Sequence, residues 1–177
     1  MYTSELLEWY TKDEIDKIDM FVDHSKDFEM TGAAIQQFSD KYLVRNRYTK
    51  KYYETPQFSY ILIAMVGFHS YKDKDRLKAV KEFYELISSG TISLPTPILA
   101  KLRTPTKQFS SCVLIESGDN LDSITEAGTA IVKYVSKSAG IGINVSSIRS
   151  RGSSVRNGEA TSTGMIPFMK KFAADVK

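Results

Sequence analysis

Cysteine is nearly absent from this 177-residue chain: Cys112 stands alone. One thiol can neither close a disulfide within the chain nor build a cysteine-rich metal site. Histidine is as scarce, and the only two, His24 and His69, have no ligand spacing. Long apolar runs are missing too. The longest, Tyr60 to Phe68, falls far short of the ~20 residues that span a bilayer as a helix. The start, Met1-Tyr2-Thr3-Ser4-Glu5, lacks the basic-then-apolar order of a signal peptide. Charge of one sign is also lacking: 24 Lys and Arg offset 21 Asp and Glu to leave +3. That is too mild to imply nucleic acid or a membrane surface. No Walker-type or GxGxxG motif, internal repeat or low-complexity segment occurs. These absences point to a cytoplasmic, reducing setting with no membrane partner.

What is present is ordinary in amount, with 42% hydrophobic and 25% charged residues, as a soluble globular chain requires. Its arrangement is informative. Leu6, Leu7, Tyr10, Ile15, Ile18, Phe21 and Val22 fall near helical spacing, which predicts two short helices broken around a capping Thr11. A short helix is expected over Thr31 to Phe38, and a small hairpin around Asn46 to Lys50. Gln57 to Phe68 is apolar nearly all round and reads as a buried helix. Asp75 to Ile87 is amphipathic and stops at Ser88-Ser89-Gly90.

Composition changes at Gly90, which divides the sequence into a helical region, 1–90, and a second region, 91–177. Pro95, Pro97 and Pro105 predict extended chain before each. Phe109 to Glu116 reads as a strand, Leu121 to Ser138 as a helix closed by Gly140, and Ile141 to Val145 as a short buried strand. Strand, helix, strand at this spacing predicts parallel strands. A loop then runs from Ser146 to Ser162, with Thr163 expected to cap a last helix over Met165 to Val176. Two parallel strands are not a sheet, because parallel sheets are buried on both faces. The second region therefore reads as the beginning of a larger α/β fold.

The stretches SLPTPILAKLRTPTKQFSSCVLIESGDNLDSI, IVKYVSKSAGIGINVSSIR and GEATSTGMIPF, with KYLVRNR and YETPQF before them, resemble the large, catalytic subunit of class I ribonucleotide reductase. The likeness runs from about Asp23 to the C-terminus. It implies a helical region leading into a ten-stranded α/β barrel, of which this chain carries the first βαβα portion. It also implies that the radical cysteine, the second redox cysteine and the second specificity loop lie on a complementary C-terminal chain, and that the family's ATP cone is lacking. The implied activity is reduction of ribonucleoside diphosphates by thiyl-radical chemistry in a complex. The implied partners are that chain, a large-subunit dimer partner meeting at the helix Leu121–Ser138, and a metal-containing small subunit that supplies the radical. No metal or other cofactor is expected on this chain.

The resemblance also assigns residues. Cys112 matches a redox cysteine on the first barrel strand; by composition alone it reads as a buried structural thiol. Thr96, Ser111 and Gly140 match substrate contacts. Their ordinary readings are turn chemistry, strand-end polarity and a helix C-cap. Asp119, Asn120 and Leu121 match the site for the dNTP or ATP effector, with Asp119 otherwise a helix N-cap. Arg149 and Arg156 match its triphosphate contacts, since guanidinium forks suit phosphate oxygens. Two other readings stand beside this one. One is a non-catalytic nucleotide-binding module using the arginine loop. The other is a nucleic-acid binder using that loop and the basic, aromatic segment Lys41–Tyr53, for which aromatic-plus-basic composition is a weak signal.

Overall fold

The structure, a computed structural model, describes residues 2–177 and, within them, every side chain but that of Asp73. It divides into two compact units, one ending at Phe109 and the other running from Ser110 to Lys177.

The first unit is helical. Helices α1 (Leu6–Trp9) and α2 (Lys12–Asp19) part at Thr11. The Thr11 hydroxyl accepts from the Glu14 N–H while the Glu14 carboxylate accepts from the Thr11 N–H, so a capping box satisfies donors that a helix start leaves bare. Then come α3 (Lys26–Glu29) and α4 (Gly32–Gln37), which Thr31 caps. A π-helical turn, Phe38–Tyr42, follows directly. The hairpin predicted next is held by one antiparallel bridge, Arg45 to Tyr52. It needs no glycine, because Asn46 Oδ1 accepts from the Tyr48 and Thr49 N–H groups and Lys50 takes the left-handed position at φ 59°.

Helix α5 (Pro56–Phe68) is the centre of this unit. Its Ile61, Ala64 and Met65 join Leu6, Tyr10, Ile18, Val80 and Tyr84 in one buried cluster, with Val80 and Tyr84 from α6 (Asp73–Ser88). Its Ile63 joins Phe38, Tyr42 and Leu99 in another. The segment after Gly90 is not simply extended. Pro95 is extended and precedes helix α7 (Thr96–Lys101), with Pro97 in the first turn, where its missing N–H costs nothing. This helix packs on α5 and on the π turn, so the residues between the composition change and Phe109 belong to the first unit. Arg103 and Glu54, both fully buried, are paired at its heart. Arg103 donates to both Glu54 oxygens and to the Leu99 and Tyr42 carbonyls, while Glu54 also accepts from the Val44 N–H at 2.7 Å and the Tyr2 hydroxyl at 3.1 Å.

The second unit is built on β1 (Cys112–Glu116), α8 (Leu121–Val135) and β2 (Gly140–Asn144). The strands pair in parallel, Cys112 opposite Gly140 and Glu116 opposite Asn144. Ile124, Ala127 and Ile131 of α8 pack with Ile148 and with Phe172 of the last helix, and Ile115, Ile141 and Ile143 lie against that cluster. The expected loop from Ser146 to Ser162 contains a small antiparallel hairpin, β3 (Ser154–Val155) with β4 (Ala160–Thr161) around a short turn at Arg156–Gly158. The last helix is α9 (Ile166–Asp175); Met165, not Thr163, precedes it, and no side chain caps it. Helix α8 is shorter than predicted. It ends at Val135, and Ser138, at φ 61°, makes the turn into the strand.

The first unit is helical and the second pairs β1 and β2 in parallel, as the sequence pattern predicts, in a sheet of two strands. Among the described residues no helix is long and apolar enough to cross a membrane.

Candidate functional site

Alternation along β1 decides what Cys112 can do. Val113 and Ile115 are partly covered, whereas Cys112, Leu114 and Glu116 are exposed. Residues two apart share a face, so the thiol stands on the face that α8 does not cover. Leu114 beside it is 87% exposed. Cys112 is therefore not the buried structural cysteine that composition suggests, but a free and exposed thiol. A thiol takes part in exchange only if a second sulfur can reach it, and this one stands open to such a partner.

Strand β2 gives that face almost nothing. Its positions opposite Cys112 and Leu114 are Gly140 and Gly142. A β-carbon on Gly140 would lie 3.1 Å from Cys112 Sγ, and one on Gly142 2.8 Å from Leu114 Cδ2. The two glycines leave space that the neighbouring strand's side chains occupy. Gly140 is thus a strand residue that seats the thiol, not the helix C-cap. Its N–H donates to the Ser111 carbonyl at 2.9 Å, which fixes the start of the pairing. Ser111 is exposed directly before Cys112. Gly142 shares the role of Gly140, and the Gly-Ile-Gly-Ile alternation carries its signal: a strand with one face of glycine invites close approach of another group.

Thr96 belongs to the first unit, as the first residue of α7. It is exposed, and its hydroxyl lies 3.3 Å from the Tyr42 hydroxyl.

The residues matched to effector binding gather at the N-terminal end of α8. Asn120, not Asp119, caps the helix, its Oδ1 accepting from the Ser123 N–H at 2.8 Å. Leu121 follows at 72% exposed. Asp119 is occupied with Arg149. It accepts from the Arg149 backbone N–H at 2.9 Å and from Nε at 2.7 Å, while Nη2 donates to the Asp119 carbonyl at 3.3 Å. Arg149 Nη1 also donates to the Ser154 carbonyl at 3.2 Å, tying the helix start to the β3–β4 hairpin. The Arg149 backbone N–H, with its guanidinium, holds the Asp119 carboxyl below the usual carboxylate range. Arg156 is exposed at the hairpin turn, with φ 52°. Asp119, Asn120, Leu121 and Arg149 are thus brought to one corner, with Arg156 on the hairpin that Arg149 contacts.

Among the described residues no three His, Cys, Asp or Glu side chains gather as a metal site. An apolar cleft of about 420 Å³ lies in the first unit, lined by Leu6, Ile15, Phe58 and Met65 among others; it contains none of the residues above.

Comparison with known proteins agrees with this division. Residues 28–107 match the ribonucleotide reductase all-alpha domain, and residues 110–177 match the ribonucleotide reductase barrel domain. The chain is 54% identical over 176 residues to ribonucleoside-diphosphate reductase 1 subunit alpha of Escherichia coli (strain K12), covering 99% of this chain and 23% of that protein. It is 50% identical, with the same coverage, to the ribonucleoside-diphosphate reductase subunit alpha of Enterobacteria phage T4. Against the subunit alpha of Synechocystis the figure is 33% over 171 residues, 96% of this chain and 21% of the relative. The chain thus spans less than a quarter of the length of these relatives. With both domains matched in order over nearly its whole length, the chain belongs to the ribonucleotide reductase large-subunit family.

Proposed function

We propose that this chain is part of the catalytic subunit of a ribonucleoside-diphosphate reductase and works with a further polypeptide that completes the barrel. The observation that carries this reading is the bare face of β1, where Cys112 stands beside Leu114 on a two-stranded sheet. Parallel sheets bury both faces, so this face calls for cover.

In the completed enzyme Cys112 is one of two reducing thiols. It and a cysteine on the complementary polypeptide give two electrons and two protons to the substrate. The ribose 2′-oxygen leaves as water, and the two sulfurs close a disulfide. A separate metal-containing small subunit supplies the radical. Thr96, Ser111 and Gly140 contact the nucleoside diphosphate. Asp119, Asn120, Leu121, Arg149 and Arg156 take a dNTP or ATP effector, and α8 meets a second large subunit. The setting is cytoplasmic.

The test is reconstitution. The chain, the polypeptide bearing the remaining barrel and the small subunit are mixed and assayed for nucleoside-diphosphate reduction. Turnover is expected only in the full mixture, and Cys112→Ser should abolish it, because one of the two reducing thiols is then missing. Reduction by the isolated chain would contradict the reading.

The Asp119–Arg149 corner, formed within the second unit alone, favours one alternative, a non-catalytic nucleotide-binding module. That alternative predicts dNTP binding by the isolated chain, lost in Arg149→Ala, and no turnover in any mixture.

A further inference from the structure

We propose that Tyr42 is a positioning residue that orients the Thr96 hydroxyl as a hydrogen-bond donor to a phosphate oxygen of the substrate. The inference rests on the reading of Thr96 as a substrate contact, and deepens it.

Tyr42 is held at three points. Its carbonyl accepts from Arg103 Nη2 at 2.9 Å. Its ring stands edge-on to Phe38, with centroids 5.2 Å apart and planes at 85°. Its hydroxyl oxygen accepts from Gln37 Nε2 at 2.6 Å. The same oxygen lies 3.3 Å from Thr96 Oγ1. A phenol has one proton, and a buried one needs an acceptor. The Tyr42–Thr96 contact permits either hydroxyl to donate; with Gln37 donating into the Tyr42 oxygen, we take Thr96 Oγ1 as the acceptor.

The hydrogen bonds then run one way, from Gln37 to Tyr42 to Thr96. Thr96 receives a proton at its oxygen and keeps its own to give. The residue is exposed, so the outgoing proton faces whatever binds there. Diphosphate oxygens only accept, whereas a ribose hydroxyl can do either. A hydroxyl fixed as a donor therefore suits the diphosphate.

The π turn is what lets Tyr42 do this. Leu43 N–H reaches back five residues to the Phe38 carbonyl. An ordinary turn lacks that extra residue, and each helical residue rotates the next side chain by about 100°. Without the insertion the Tyr42 hydroxyl would face elsewhere. Single π turns inside helices often mark functional positions for this reason.

The test uses the assembled enzyme and measures KM and kcat for a nucleoside diphosphate. Thr96→Ala and Tyr42→Phe should each raise KM roughly three- to tenfold, with kcat within about a factor of two. The double variant should be no worse than Thr96→Ala alone, because both remove one device. Gln37→Leu, at an exposed position that leaves the Tyr42 ring in place, should raise KM by about twofold. If Thr96→Ala raises KM but Tyr42→Phe and Gln37→Leu do not, the positioning role is overturned while Thr96 remains a substrate contact. Additive effects in the double variant also overturn it, since they would show Tyr42 acting through the fold. If Thr96→Ala leaves KM unchanged, the substrate reading of Thr96 fails and the positioning role with it.

Discussion

In the first unit α5 is buried on nearly every side, giving Ile61 and Ala64 to one cluster and Ile63 to another, and the one charged pair at its heart is fully enclosed. In the second unit α8 covers one face of a two-stranded sheet and leaves Cys112 and Leu114 on the other. Both regions have apolar elements in quantity, so apolar content alone does not explain the contrast. The difference is closure. A helical layer can satisfy its backbone within each helix and needs only side-chain partners, whereas a parallel pair needs neighbours on its faces and edges. The unit that lacks such neighbours is the one that carries the thiol.

The largest effect is expected at Arg103. Its substitution by alanine leaves Glu54 buried and uncompensated, which costs about 3–5 kcal/mol. The thermal transition of the first unit should fall steeply. An unchanged transition would contradict the enclosure of this pair.

A smaller effect is expected at the two glycines of β2. Gly140→Ala places a methyl group 3.1 Å from Cys112 Sγ, and Gly142→Ala places one 2.8 Å from Leu114 Cδ2. Leu114 is exposed and its end can swing aside. The sulfur lies one bond from Cβ and has less freedom. Alkylation of the single thiol should change severalfold in the first variant and hardly at all in the second. Equal effects would show that the seat under Cys112 is nothing special.

Leu114→Ser tests the open face. In the isolated chain the change should fall within about 0.5 kcal/mol, as surface substitutions do. With the complementary polypeptide present it should weaken assembly, measured by a binding titration. A large loss of stability in the chain alone would mean that this face is already covered.

The smallest effect concerns pH. The Asp119 carboxyl is depressed by Arg149. Its contribution is therefore complete above the ordinary carboxylate pKa and is lost as pH falls through the lowered one. The Arg149 Nε signal should stay shifted across neutral and mildly acidic pH and collapse only in strong acid. Asp119→Asn should abolish that transition. An Arg149 signal that titrates near pH 7 would contradict the pairing.

Much of this was legible in the residues. Thr11 with Glu14, the all-round apolar Gln57–Phe68 stretch and the strand–helix–strand order announce their elements because each depends on local spacing. Four things were not. Helix α7 hides behind three prolines, which read as extended chain until one sees that Pro97 occupies a first helical turn. Asp119 and Asn120 are both good caps, and only the long-range demand of Arg149 leaves the role to Asn120. The Gly140 position follows helices in sequence and looks like a cap; its strand role depends on Ser138 making the turn instead. The Tyr42–Thr96 contact joins residues far apart in the chain, and no periodicity reports such a pair.

The proposal that a further polypeptide covers the Cys112 face has a direct test. Because the chain has one thiol, the alkylation rate of Cys112, followed by mass spectrometry with and without the polypeptide bearing the remaining barrel, reads that claim directly. The account predicts fast labelling alone and at least tenfold slower labelling in the mixture. An unchanged rate would contradict it.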